Sequence, residues 1–109
     1  ACYAPDGRHR EVAQGRVIEG PDAIAEGLAS FLASFPDARW EPETVVDGGD
    51  AVAITYVLTG TLQARMGPFE PGGQRLELRG CHVLHLAGDR IAWSEDYWDG
   101  GTFGRQMRG

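Results

Sequence analysis

RLELRGCHVLHLAGDRIAWSEDYW, residues 75–98, predicts two long β-strands joined by a tight turn. The first strand covers about Arg75–Leu86 and the second covers Ile91–Trp98. Gly88-Asp89 between them is typical of a hairpin turn. We therefore expect an antiparallel hairpin as the basis of the fold.

Two more strands are predicted upstream of this hairpin. Trp40–Val46 and Ala51–Leu62 have extended patterns and flank the turn residues Asp47–Asp50. Glycine and proline residues within Met66–Gly73 indicate a loop that leads to the strand beginning near Arg75. At least three long strands are therefore expected to pair in antiparallel fashion.

A helix is predicted before these strands. Pro21 suits a first helical turn, and Pro36 ends the pattern. Between them, apolar residues recur at the spacing of one helical face: Ile24, Leu28, Phe31, Leu32 and Phe35.

Shorter elements are predicted at both ends of the chain. Arg8–Val12 and Arg16–Ile18 indicate a short hairpin, and Asp99 is placed to cap a last helix by accepting hydrogen bonds from its first amides. A helix followed by a run of antiparallel strands indicates an α+β fold in which a curved sheet wraps the helix. The concave space between helix and sheet would suit a small ligand.

Length and charge limit the function classes. The chain has 109 residues, which fits a single domain over residues 1–109. Its net charge of −6 opposes binding to nucleic acid or anionic lipid, and no stretch is long and apolar enough for a membrane helix. Cys2 and Cys81 are too few for a disulfide framework, so we expect reduced thiols and a cytoplasmic protein.

Carboxylates and aromatic residues crowd the segment Trp93–Asp99, WSEDYWD. Strand alternation puts Glu95 and Asp96 on opposite faces, so only one of them can point into the concave space. A two-residue turn places His82 opposite Glu95, whereas a three-residue turn places it opposite Asp96. Either register pairs His82 with a carboxylate. A carboxylate in an apolar cavity suits proton transfer, because burial disfavours its charged form.

Eight short segments carry a resemblance to a known family: Tyr3–Asp6, Glu19–Ile24, Phe35–Asp37, Gly60–Thr61, Gly67–Arg75, Gly88–Ile91, Tyr97–Asp99 and Arg105–Met107. They resemble the successive motifs of the SnoaL-like polyketide cyclases of the nuclear transport factor 2-like superfamily. The resemblance implies an α+β cone, a strongly curved antiparallel sheet wrapped around helices, which dimerises through the outer face of the sheet. Family members usually begin with a long helix that closes the cone. Nothing before Tyr3 can supply it, so the N-terminal helix is expected to be missing.

The same resemblance implies a catalytic pair. In the cyclases the acid/base is an aspartate on the last long strand, with a histidine on the neighbouring strand, and the similar positions here are Asp96 and His82. We expect His85 at the surface or at a dimer face, and His9 at a solvated edge. The spacing of the histidines and carboxylates predicts no metal site, and no motif indicates a cofactor.

The aromatic residues have two interpretations, because they can fill a core or line a ligand pocket. Phe69, on the glycine- and proline-rich loop, is the best candidate for a mobile lid. If there is a pocket, we expect the following residues to contact the substrate: Glu95, Trp93, Tyr97, Trp98, Phe69, Phe31 and Tyr56.

The sequence therefore predicts a pocket protein for a small hydrophobic ligand. The preferred interpretation is a cofactor-free acid/base enzyme of the cyclase or isomerase type, acting on a polyketide- or steroid-like carbonyl compound. The alternatives are a non-catalytic ligand-binding or dimerisation module with the same fold and, less favoured, a protein-interaction adaptor. A homodimer formed through the sheet is expected, with no nucleic acid or membrane partner.

Overall fold

The structure, a computed structural model, describes residues 2–109 and contains six strands and two α-helices within them. In chain order these are β1 (Tyr3–Glu11), β2 (Arg16–Glu19), α1 (Pro21–Ser34), β3 (Arg39–Asp47), β4 (Ala51–Thr61), β5 (Arg75–Ala87), β6 (Arg90–Trp98) and α2 (Gly100–Arg108). A short 3-10 helix, Val12–Gln14, joins β1 to β2. No helix in residues 2–109 combines the length and the apolar character that crossing a membrane requires.

The helix termini follow the predicted signals. α1 has proline at its first position and ends just before Phe35 and Pro36. The Asp99 carboxylate caps α2, accepting hydrogen bonds from the Gly101 amide at 3.2 Å and from the Thr102 hydroxyl at 2.6 Å. The prediction of an α+β fold is confirmed.

The strands form one open, mixed sheet in the order β2-β1-β6-β5-β4-β3. β3 to β6 pair antiparallel as predicted, and β1 and β2 form the predicted short hairpin. One pair departs from the expected antiparallel arrangement, because β1 pairs parallel to β6. These two strands lie at opposite ends of the chain, so no turn between them indicates that they pair or in which direction.

The register of the β5–β6 hairpin combines features of both alternatives. Ala87 pairs with Arg90, so the turn has two residues. Leu86 pairs with Ile91, whereas His85 pairs with Trp93. Ala92 is therefore an extra residue that forms a bulge in β6. The bulge gives β6 the register that a three-residue turn would have produced, with His82 opposite Asp96.

The buried core lies beside the C-terminal end of α1 and against α2. Its fully or nearly buried apolar residues are Phe35, Tyr56, Leu58, Leu62, Leu76, Leu78 and Met107. The middle of α1 is not packed in the same way, since Leu28 is 50% exposed. A space is therefore left between α1 and the inner face of the sheet.

Candidate functional site

The inner face of the sheet carries polar residues on three adjacent strands. Asp96 on β6 is in register with Glu11 on β1 and with His82 on β5. Residues directly opposite each other in neighbouring strands project from the same face. All three side chains line the pocket between the sheet and α1.

Two side chains hold the Asp96 carboxylate. The Tyr56 hydroxyl donates a hydrogen bond of 2.6 Å to Oδ1, and Nε2 of His82 lies 3.3 Å from Oδ2. Asp96 is 9% exposed and Tyr56 is 3% exposed. Burial, and then the bond to Asp96, raise the pKa of Tyr56 well above its ordinary value. The phenol therefore stays neutral and continues to donate to the carboxylate.

Gly80 leaves the room that the Tyr56 ring occupies. It lies opposite Tyr56 in the β4–β5 register. A Cβ at this position would overlap the Tyr56 hydroxyl and would lie 2.8 Å from the carbonyl oxygen of Tyr97. Glycine inside a strand often marks such a close approach. Gly80 is therefore one of the residues by which the sequence places Tyr56 against Asp96.

β1 contributes a second hydrogen-bonded group, which no sequence pattern predicted. Nδ1 of His9 lies 2.7 Å from Oγ of Ser94, and its Nε2 lies 2.7 Å from Oε1 of Glu11. The Trp98 indole donates to Oε2 of Glu11 at 3.1 Å, and the hydroxyls of Tyr3 and Ser94 are 2.6 Å apart. A continuous polar network thus extends from β1 to β6.

The prediction that His9 occupies a solvated edge is wrong. Its side chain is 12% exposed and that of Glu11 is 18% exposed, because β1 is paired on both sides, by β2 and β6. The sequence did contain one indication of this group: His9 and Glu11 are two residues apart, and residues at this spacing in a strand share a face. The partner strand β6 could not be inferred locally.

The pocket has a volume of about 920 Å³, and several aromatic side chains form part of its walls. Phe31 packs against Trp40 with ring centroids 5.7 Å apart, and Phe69 packs against Phe103 at 6.2 Å. This volume lies within the range of pockets that hold small organic ligands. The structure brings six of the predicted site residues together around the pocket: Asp96, His82, Tyr56, Trp98, Phe31 and Phe69.

The other three predicted substrate contacts, Glu95, Trp93 and Tyr97, do not line this pocket. They alternate with Ser94 and Asp96 along β6 and therefore project from the outer face. There Glu95 and Trp93 contact His85, whose Nε2 lies 3.1 Å from Oε1 of Glu95 and whose ring stacks on Trp93 at 3.8 Å, while the Tyr97 hydroxyl donates to Glu95. The expectation that these three residues contact a pocket ligand does not fit this geometry, because such a contact requires the inner face.

One group in residues 2–109 has the composition of a metal-ligand set. His9, Glu11 and Asp96 each offer one nitrogen or oxygen atom, and these atoms lie within 4.8 Å of one another. His82 lies beside the set through its contact with Asp96. Nitrogen and carboxylate ligands of this kind are used by first-row transition metals.

The open six-stranded sheet with its two helices has the nuclear transport factor 2-like fold, which solved structures of such proteins share. The family model of the SnoaL-like polyketide cyclases matches residues 1–107, and the chain belongs to this family. The family prediction is therefore confirmed.

Solved structures show the same fold at low sequence identity. A candidate SnoaL-like polyketide cyclase from Jannaschia sp. CCS1 is 20% identical with a TM-score of 0.90, over 97% of this chain and 73% of that chain. AclR, a candidate hydroxylase from Streptomyces galilaeus, is 19% identical with a TM-score of 0.84, over 98% and 69%. IdmH, a candidate polyketide cyclase from Streptomyces antibioticus, is 21% identical with a TM-score of 0.82, over 98% and 82%. None of the curated proteins matches the chain.

Proposed function

We propose that the protein is an acid/base enzyme in which Asp96 moves a proton on a small hydrophobic carbonyl compound. The observation that carries this proposal is a buried carboxylate, oriented by Tyr56 and His82, in the wall of an aromatic pocket. A general base must lie within hydrogen-bond reach of the proton that it removes, and its orientation must be fixed. Asp96 meets the second condition in the free protein.

The reaction would start at the carbon next to the carbonyl group. Asp96 removes a proton from this carbon to give an enolate. In a cyclisation the enolate carbon attacks a second carbonyl, whose oxygen then takes the proton back from Asp96. In an isomerisation Asp96 returns the proton to another carbon of the enolate. His82 and Tyr56 act as positioning residues for the carboxylate. The aromatic walls suit a polyketide- or steroid-like substrate, which agrees with the family to which the chain belongs.

The test is to replace Asp96 and to use the outer-face carboxylate as the matched control. Polyketide- and steroid-like ketones are incubated with the protein in D₂O, and exchange of the acidic C–H protons is followed by NMR. Asp96→Asn is expected to abolish the catalysed exchange while ligand binding, measured by calorimetry, persists. Glu95→Gln is expected to exchange like the wild type, because Glu95 does not line the pocket. Full exchange activity in Asp96→Asn would contradict the proposal.

One observation favours a second candidate, a non-catalytic binding module with the same pocket. Both oxygens of Asp96 already have partners in the protein, as expected of a buried carboxylate with a structural role. In this case the ketones bind to the wild type and to Asp96→Asn with equal affinity, and neither protein accelerates C–H exchange.

We also propose a cytoplasmic homodimer formed through the outer face of the sheet. Val46 and Tyr97 project from this face, and they are 60% and 41% exposed. Burying such apolar surface stabilises association. Analytical ultracentrifugation checks the homodimer, and the mass of a single 11.8 kDa chain at all concentrations would contradict it.

A further inference from the structure

Two carboxylates face each other on the inner side of the sheet. Glu11 and Asp96 are direct partners in the parallel register of β1 and β6. Like charges in directly opposed positions destabilise a sheet, and solvent screens them poorly here, because Asp96 is buried and the Glu11 side chain is only 18% exposed. The arrangement therefore favours a positive charge between them.

His9 adds a nitrogen ligand to these two carboxylates. His9 and Glu11 are two residues apart on β1, so both side chains project from the inner face, and Asp96 lies opposite Glu11. One ligand atom from each of the three residues lies within 4.8 Å of the others. A small movement of the side chains would place all three atoms about 2 Å from a metal ion bound between them, which is the usual length of such metal–ligand bonds.

The outer atoms of the three residues are already fixed by neighbours. His9 Nδ1 contacts Ser94, Glu11 Oε2 accepts from Trp98, and Asp96 Oδ1 accepts from Tyr56. Ligands in metal sites are oriented in this way, through a partner that binds the atom not facing the metal. A cation would replace the contact between His9 Nε2 and Glu11 Oε1, which is 2.7 Å long. It would share Asp96 Oδ2 with His82, whose Nε2 lies 3.3 Å from that oxygen.

We propose that His9, Glu11 and Asp96 form a binding site for a divalent first-row transition metal ion such as Mn²⁺, Co²⁺ or Zn²⁺. The mixture of imidazole and carboxylate suits these ions, whereas Ca²⁺ and Mg²⁺ prefer oxygen ligands and, for Ca²⁺, more of them. Three protein ligands leave coordination positions open toward the pocket. The site departs from the expectation of no metal, which rested on spacing within single segments and did not include the pairing of β1 with β6.

The metal site shares Asp96 with the proposed proton transfer, and its test needs no substrate. A carboxylate that binds a cation is not free to accept a proton from carbon, so the cation-bound protein is expected to be inactive in the C–H exchange assay. Cation binding and C–H exchange are measured separately. Failure of one proposal therefore leaves the other standing.

The experiment is a Co²⁺ titration of protein that has been stripped with EDTA and dialysed, followed by visible absorption and calorimetry. Glu11→Gln and Asp96→Asn are each expected to raise the dissociation constant at least about 100-fold, and Ser94→Ala about 10-fold through loss of the His9 partner. Glu95→Gln, which removes a carboxylate from the other histidine–carboxylate pair, is expected to leave the dissociation constant unchanged.

Two results would overturn the proposal: no saturable binding to the wild type up to about 1 mM Co²⁺, or wild-type affinity in Glu11→Gln. A second measurement on the wild type avoids any dependence on the folding of the variants. Zn²⁺ is added and the histidine ring nitrogens are observed by ¹H–¹⁵N NMR. Nε2 of His9 is expected to shift while the ring of His85 stays unchanged, and a shift at His85 without one at His9 would contradict the site.

Discussion

The β5–β6 hairpin carries one histidine–carboxylate pair on each face, and the two pairs are similar in contact distance and in exposure. His82 and Asp96 on the inner face are 3.3 Å apart, and His85 and Glu95 on the outer face are 3.1 Å apart. Their side-chain exposures are also similar, at 32% and 12% for the inner pair and 29% and 15% for the outer pair. Distance and exposure therefore do not distinguish a candidate site from a surface pair.

The neighbours of each pair make the difference. The inner carboxylate accepts a hydrogen bond from the buried Tyr56 and lies in the pocket wall. The outer carboxylate accepts from Tyr97, which is 41% exposed, and the indole of Trp93 covers the imidazole of His85 at an interplanar angle of 5°. A ligand can approach the inner pair from the pocket, whereas one face of the outer imidazole is already occupied.

The largest effect that separates the two faces is expected from Gly80→Ala. The new methyl group would overlap the Tyr56 hydroxyl and press on the Tyr97 carbonyl oxygen. Overpacking of this kind is expected to destabilise the protein by about 3 kcal/mol and to detach Tyr56 from Asp96. Urea unfolding measures the loss, with Gly100→Ala as the control, because a Cβ at Gly100 meets open space. Equal stability of the two variants would mean that Tyr56 does not depend on the gap at Gly80.

A smaller and more specific effect is expected from removing the two tyrosine hydroxyls one at a time. Tyr56→Phe leaves a buried carboxylate oxygen without its donor and is expected to cost about 2 kcal/mol. Tyr97→Phe removes the matching bond to Glu95 at an exposed position and is expected to cost less than about 0.5 kcal/mol. Urea midpoints of both variants check the difference. If Tyr97→Phe costs as much as Tyr56→Phe, the two faces are not energetically distinct.

The sequence predicted the secondary-structure elements and the alternation of side chains along β6. It was less informative about the residues that contact this strand. The period of two predicts that Glu95 and Asp96 occupy opposite faces. Which of them faces inward depends on the bulge at Ala92, and the turn residues alone do not encode that bulge.

The contribution of β1 was missed for a different reason. His9 and Glu11 show the right spacing for one face of a strand, but their partners Ser94 and Asp96 lie more than 80 residues away. A parallel contact over such a separation leaves no turn or hairpin signal in the sequence. Local patterns therefore predicted the His82–Asp96 pair, which lies within one hairpin, and did not predict the group on β1.

The smallest effect concerns the pH dependence of stability, in which the two faces are expected to act at opposite ends of the pH range. Burial works to raise the pKa of Glu95, but the hydrogen bonds from His85 and Tyr97 outweigh it and lower this pKa below its ordinary value of 4.5. A group with a lowered pKa adds stability above its unfolded pKa, and this stability is lost as the pH falls through the folded pKa. Glu95→Gln is therefore expected to flatten the acid side of the stability curve.

The pKa of Tyr56 is raised, so its effect on stability has the opposite pH dependence. The stability that Tyr56 contributes is present below its ordinary pKa of 10.0 and is lost as the pH rises through the folded pKa. Tyr56→Phe should flatten the alkaline side, and urea midpoints across the pH range measure both curves. An unchanged acid side in Glu95→Gln would show that the outer pair contributes nothing to stability through ionisation, and the contrast between the faces would then rest on Tyr56 alone.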